Sequence, residues 1–198
     1  MTIEQDIDSD IEELFEDFPS LKSVAPFVEV AKNVRWFWAL GESPKKLTRG
    51  HAREYAGTLG FPEADPVFLP SWEDAAFAAE NPEYNSPAWE AEEQLRAALT
   101  SDVLAAVDED TLQMVMANIA QAITPVIDEA ASEAQEYLRI DDDEFVQAAT
   151  GAAVQACYQA ALVGMAGAED DHPFVRRFQI FEEGHWPIAI LGNSFLIY

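Results

Sequence analysis

Three histidines, an adjacent pair of glutamates and an adjacent pair of arginines are the residues of this chain whose types could carry chemistry. His172 and His185 flank the run that contains Arg176, Arg177, Glu182 and Glu183. If that run folds back on itself, His185 is a candidate general base oriented by Glu182 or Glu183, with His172 nearby and the two arginines as an anion clamp. That constellation would suit a small hydrolase or an anion-ligand-binding domain. The competing reading is two turn-proximal histidines satisfied by local hydrogen bonds. The third histidine, His51, stands three residues before Glu54, a spacing that lets two ligands share a helix face. Zinc, however, asks for about three or four ligands, and the chain has one cysteine, Cys157. Asp141 and Asp143 imitate the start of a calcium loop but lack its glycine and distal glutamate. No metal and no cofactor is assigned. The chain has no phosphate-binding glycine loop, no nucleophile elbow and no H-E-x-x-H.

The cations are unevenly placed. Lys22, Lys32, Arg35, Lys45, Lys46, Arg49 and Arg53 face only Glu29 and Glu42 in the same span, a local balance of +5 in a chain of net charge −26. With Trp36, Phe37 and Trp38 among them, this interleaving is the pattern that binds single-stranded nucleic acid. The remaining −31 opposes phosphate over a Debye length of roughly 8 Å, so direct nucleic-acid binding is not expected, and neutralisation of the segment by the acidic helices is. A small anion at the Ser43-Pro44 helix start, held by Lys45 and Lys46, is the functional alternative.

Placing these residues requires a mostly helical body. Spacings of three and four predict helices over 3–18, 26–40, 45–58, 72–79, 88–99, 111–123, 125–138 and 144–165, with breaks at Pro19, Gly41 and near Thr124. The 45–58 helix aligns Lys45, Arg49 and Arg53 on one face. The small-residue run after Asp141-Asp142-Asp143-Glu144 predicts the most buried helix, with Cys157 as an inert thiol. Residues 61–87 carry five prolines and read as a long connection. Beyond His172-Pro173, residues 174–181, 185–191 and 195–198 read as strands separated by Glu182-Glu183-Gly184 and Gly192-Asn193-Ser194, with an edge or bulge at Pro187. The fold class is α+β: one domain over 1–198, a helical body to about 170, and a C-terminal antiparallel hairpin or three-stranded meander.

Composition bounds the function. A chain of 198 residues can bury roughly 70% of the surface its unfolded form exposes. No Sec-type leader and no run of roughly 20 apolar residues stands out, and one cysteine forbids an internal disulfide, so a cytoplasmic protein without membrane contact is expected. The acidity fits either a halophilic solvent or a cationic partner. The leading expectation is a non-enzymatic binding or regulatory protein that engages a basic protein, as an immunity protein, inhibitor or nucleic-acid mimic does, with Trp72, Tyr84 and Trp89 as aromatic anchors. Beside it stand the enzyme reading above and a self-associating protein whose C-terminal strand pairs edge to edge in a homodimer.

Overall fold

Residues 18–80, 86–169 and 171–198 are described by a computed structural model of the chain; the amphipathic helix expected over 3–18 falls outside them, except for Phe18. A 3₁₀ turn at Pro19–Ser23 leads into α1 (Val24–Lys32), followed by α2 (Lys46–Thr58), β1 (Asp65–Phe68), α3 (Trp72–Glu80), α4 (Pro87–Leu104), α5 (Glu109–Leu138), α6 (Asp143–Ala166), α7 (Pro173–Glu182), β2 (Pro187–Leu191) and β3 (Ser194–Ile197). Among the described residues no helix is long and apolar enough to cross a membrane.

Local chemistry sets the helix ends. Ser86, Asp108 and Asp142 each accept a backbone N–H from three residues on, at 3.2, 2.8 and 2.9 Å, opening α4, α5 and α6. At the far ends, Arg139 and Gly167 take left-handed backbone. There the N–H groups of Ile140 and Ala168 reach back to the carbonyls of Gln135 and Val163 at 3.0 and 3.1 Å, closing both helices in the Schellman manner. Helices α5 and α6, joined by so short a link, form an antiparallel hairpin. The small residues of α6 let its neighbours approach, and it buries Ala149, Ala153, Ala156, Cys157 and Ala160 in the main core, as its composition predicts. Burial alone pushes the Cys157 thiol up to about 12.

Three sequence expectations are corrected. Residues 174–181 form a helix, not a strand: His172 Nδ1 accepts the Phe174 N–H at 3.1 Å, Pro173 occupies the first turn, and Phe174, Phe178 and Phe181 share the buried face. The break near Thr124 is absent, because α5 runs through the exposed Pro125. The helix expected over 26–40 stops at Lys32, after which Phe37 at φ 59° and Gly41 at φ 72° turn the chain back.

The sheet is small and mixed. β2 and β3 form the expected antiparallel hairpin, with Leu191 opposite Ser194 and an irregularity between Pro187 and Ala189. The third strand comes from the proline-rich connection: β1 runs parallel to β3, with Asp65 opposite Ser194 and Phe68 opposite Ile197. The order is β1-β3-β2, so the last strand is central and has no open edge for a copy of itself. A second apolar cluster, with Tyr55, Ile180, Phe195 and Ile197, fills the space between α2, α7 and the sheet.

Candidate functional site

Helix α2 is laid along α7, and the seam between them holds most of the residues that could do chemistry. Thr48 and His51, one turn apart on α2, both meet the Glu183 carboxylate: the Thr48 hydroxyl donates to Oε2, and His51 Nδ1 lies 3.0 Å from Oε1 without the alignment of a hydrogen bond. A turn further on, the Tyr55 hydroxyl donates to Glu92 of α4, whose other oxygen accepts from Arg177 Nη1 at 2.5 Å. Arg176 Nε sits 2.8 Å from Glu54 Oε2, and its Nη1 donates to Gln179 at 2.9 Å. Burial lifts the Tyr55 hydroxyl well above its ordinary value, reinforced by Glu92. Burial works against the Arg177 cation, but Glu92 and Tyr55 outweigh it and hold the guanidinium charged.

This seam uses the arginines of the expected anion clamp to bind the chain's own carboxylates. The two histidines do not meet across α7: His172 precedes it and His185 follows its end, roughly 15 Å of helix rise apart for ten residues. His172 is the helix cap, its basicity lowered by burial. His185 is 3% exposed, packs edge-on to Phe68 at 5.2 Å, and has an Nδ1 without a partner. Burial, with help from Lys45, pushes it down to about 4. Glu183 turns to His51, and Glu182, raised by burial and by Glu183, faces the groove beside Arg35 and Trp38. Among the described residues no three His, Cys, Asp or Glu side chains converge as a metal site requires.

Among the described residues no cation of the basic segment pairs with a carboxylate of α4, α5 or α6. Among the described residues, Lys32 alone of the seven makes an ion pair, with Glu29 on its own helix. Lys45, Lys46, Arg49 and Arg53 are exposed. Arg35 and Lys45 instead stack on Trp38, at 4.7 and 5.0 Å from the ring, and Arg49 covers Phe68 at 5.2 Å, contacts worth about 0.5–1 kcal/mol each at exposed positions. The Ser43-Pro44 anion site also changes form: α2 starts after Lys45, with no side chain capping it.

Of the expected anchors, Trp72 is half-buried against Phe145, Trp89 is 46% exposed on α4, and Tyr84 lies outside the described residues. A more developed aromatic site lies elsewhere. Between the 36–42 turn and the last turns of α5 is a cavity of about 430 Å³ whose walls include Trp38, Leu138 and Tyr198. Glu42 and Glu133 stand at its rim, on different elements, and neither is paired with a cation among the described residues. Tyr137 lines it while 84% exposed. The turn that carries Trp38 is pinned from below: Trp36 Nε1 donates to the Ala31 carbonyl at 3.2 Å, and the Ala39 N–H donates to the Gly184 carbonyl at 3.2 Å. Sequence reading missed this site because Glu42 and Glu133 are 91 positions apart. The only local signal was Tyr137, aromatic on a strongly acidic helix face.

Comparison with known proteins returns no matching family model, no matching curated protein and no matching solved structure.

Proposed function

We propose that this chain is a binding protein for a basic protein partner, and that it takes a lysine or arginine side chain of that partner into the cavity between Glu42, Glu133 and Tyr137. The observation that carries the reading is the pair of carboxylates, without a cation partner among the described residues, brought from two elements to the rim of an aromatic cavity. An alkylammonium or guanidinium group fits such a place: its stem covers apolar wall, its charge meets two carboxylates, and an aromatic face adds attraction. The rest of the molecule supports the approach. A net charge of −26 draws cations from a distance and repels nucleic acid, and rim carboxylates act mostly on encounter and register. Inhibitors, immunity proteins and mimics of nucleic acid bind in this way, and a cytoplasmic setting suits a chain whose single thiol is buried and unpaired.

The test is titration of a Lys/Arg-rich peptide into the protein and into the Glu42→Gln/Glu133→Gln variant. The reading expects the variant to bind about tenfold more weakly, the equivalent of about 1.4 kcal/mol, with its melting temperature unchanged. Equal affinity for both proteins would remove the site from the account. The enzyme alternative finds no support in the α2–α7 seam, where Arg176, Arg177 and Glu183 are each engaged within the chain.

A further inference from the structure

We propose that residues 1–17, the acidic start of this chain, dock on a cationic strip of the same molecule that runs from a groove beside α1, across Trp38, and along α2. Arg35, Lys45, Lys46, Arg49 and Arg53 are exposed, and among the described residues none of them pairs with a carboxylate. In a chain with 37 acids, neighbouring cations left without a counter-charge set up a local field that an anionic partner relieves. Arg35 and Lys45 both stand over the Trp38 ring, at 4.7 and 5.0 Å, which joins the 36–42 turn to the start of α2. Arg49 follows one turn on, over Phe68 at 5.2 Å, and Arg53 one turn beyond. Also bordered by Trp38 is a groove of about 630 Å³ with Val30 and Val34 as further apolar wall and Arg35 on its lining. Of the two glutamates on that lining, Glu29 is paired with Lys32 at 2.9 Å, and burial makes Glu182 less readily ionised.

Such a strip asks for apolar side chains set among acids. Residues 1–17 hold Ile3, Ile7, Ile11 and Leu14 at spacings of three and four, with eight acids and no lysine or arginine. Taking their −8 from the net −26 leaves −18 on the rest of the molecule, which repels a free polyanion. A tethered segment escapes most of that penalty, because its effective concentration at the strip is of order millimolar. Reach is not limiting. The segment joins Phe18, which packs on the main core, and the path from there through the 3₁₀ turn and α1 to Arg35 is at most roughly 35 Å. A segment of this length can span up to roughly 55 Å. Of the strip's residues only Trp38 also lines the Glu42–Glu133 cavity, so this proposal and the reading of that cavity fail separately.

The test is a nitroxide at Gln5→Cys, read by amide NMR on the full chain; Cys157 is buried, so the label attaches at residue 5 alone. The Trp38 indole signal and the amide signals from Lys46 to Arg53 are expected to be lost while the label is oxidised and to return on its reduction. Arg49→Glu/Arg53→Glu is expected to bring most of that signal back. Raising salt to about 0.5 M, where the Debye length is roughly 4 Å, is expected to do the same without a variant. Full signals along the strip with the label oxidised would overturn the proposal, and so would losses that neither charge reversal nor salt relieves. Mixing labelled chain with unlabelled, isotope-enriched chain asks whether a second copy is the occupant: losses as strong as those within one chain would make the strip a contact between copies and overturn the intramolecular assignment.

Discussion

His185 shows how burial changes the meaning of a titratable residue. In the sequence it stands beside two glutamates and reads as a base; in the fold it is enclosed by Phe68 and the end of α7, near Lys45, and its folded value falls from 6.5 to about 4. The unfolded chain therefore binds a proton that the folded chain refuses between those two values. The contribution of neutral His185 to stability is complete above pH 6.5 and is lost as pH falls towards about 4. Carboxylates titrate in the same interval, so the test is a difference. His185→Leu is expected to show a shallower fall of melting temperature across that interval than the wild type, and identical profiles would contradict the assignment. The same burial disqualifies His185 as a solvent-facing base near neutral pH. Glu183, by contrast, is a carboxylate whose partners, Thr48 and His51, were invisible in sequence because they lie 135 and 132 positions away.

At the scale of elements, close approach decides more than propensity. Gly184 ends α7 at φ 86°, and a Cβ there would meet Trp38 Nε1 at 2.6 Å and the Ala39 nitrogen at 2.8 Å. Both the positive φ and the contact oppose any side chain, so Gly184→Ala is expected to cost about 2 kcal/mol or more in chemical denaturation, and to weaken basic-peptide binding by displacing the turn that carries Trp38. An unchanged denaturation midpoint would contradict that packing. Pro125 presents the opposite case. It lacks the N–H that would bond within α5, yet the helix continues because Ile119, Ile123 and Ile127 are fully buried on its inner face. Pro125→Ala is expected to raise stability by about 1–3 kcal/mol, and a loss of stability would show that the proline relieves a strain.

These two positions also explain what could be read from sequence. Helical spacing and caps locate α2, α3 and α6 within a few residues because those signals are local, whereas α4 runs five residues beyond its expected end and α5 is one helix where two are expected. The aromatic and branched residues from Phe174 to Phe181 favour a strand, whereas their spacing of four and three and the preceding His172-Pro173 mark the helix that forms. β1 was missed because four residues with a proline carry no strand pattern of their own; what makes them a strand is β3, more than 120 positions later. The rim of the candidate site was illegible for the same reason.

For the whole molecule the dominant quantity is charge. Exposed carboxylates cover α4, α5 and the start of α6, while Arg35, Lys45 and Arg49 stay exposed and lean on aromatic rings rather than on those helices. Fields of this kind act at long range only in dilute salt. Affinity for the basic peptide is expected to fall about tenfold or more between about 0.05 M and about 0.5 M salt, where the Debye length shrinks from roughly 13 to roughly 4 Å; salt-independent affinity would contradict electrostatic capture. The central claim is that one partner cation enters the Glu42–Glu133 rim, and a double-mutant cycle tests it most directly. One side of the cycle is Glu133→Gln; the other is an arginine-rich peptide without lysine, its arginines replaced one at a time by neutral, nearly isosteric citrulline. The account predicts one arginine whose loss couples to Glu133→Gln by about 1 kcal/mol or more. Additive effects at every arginine would contradict it.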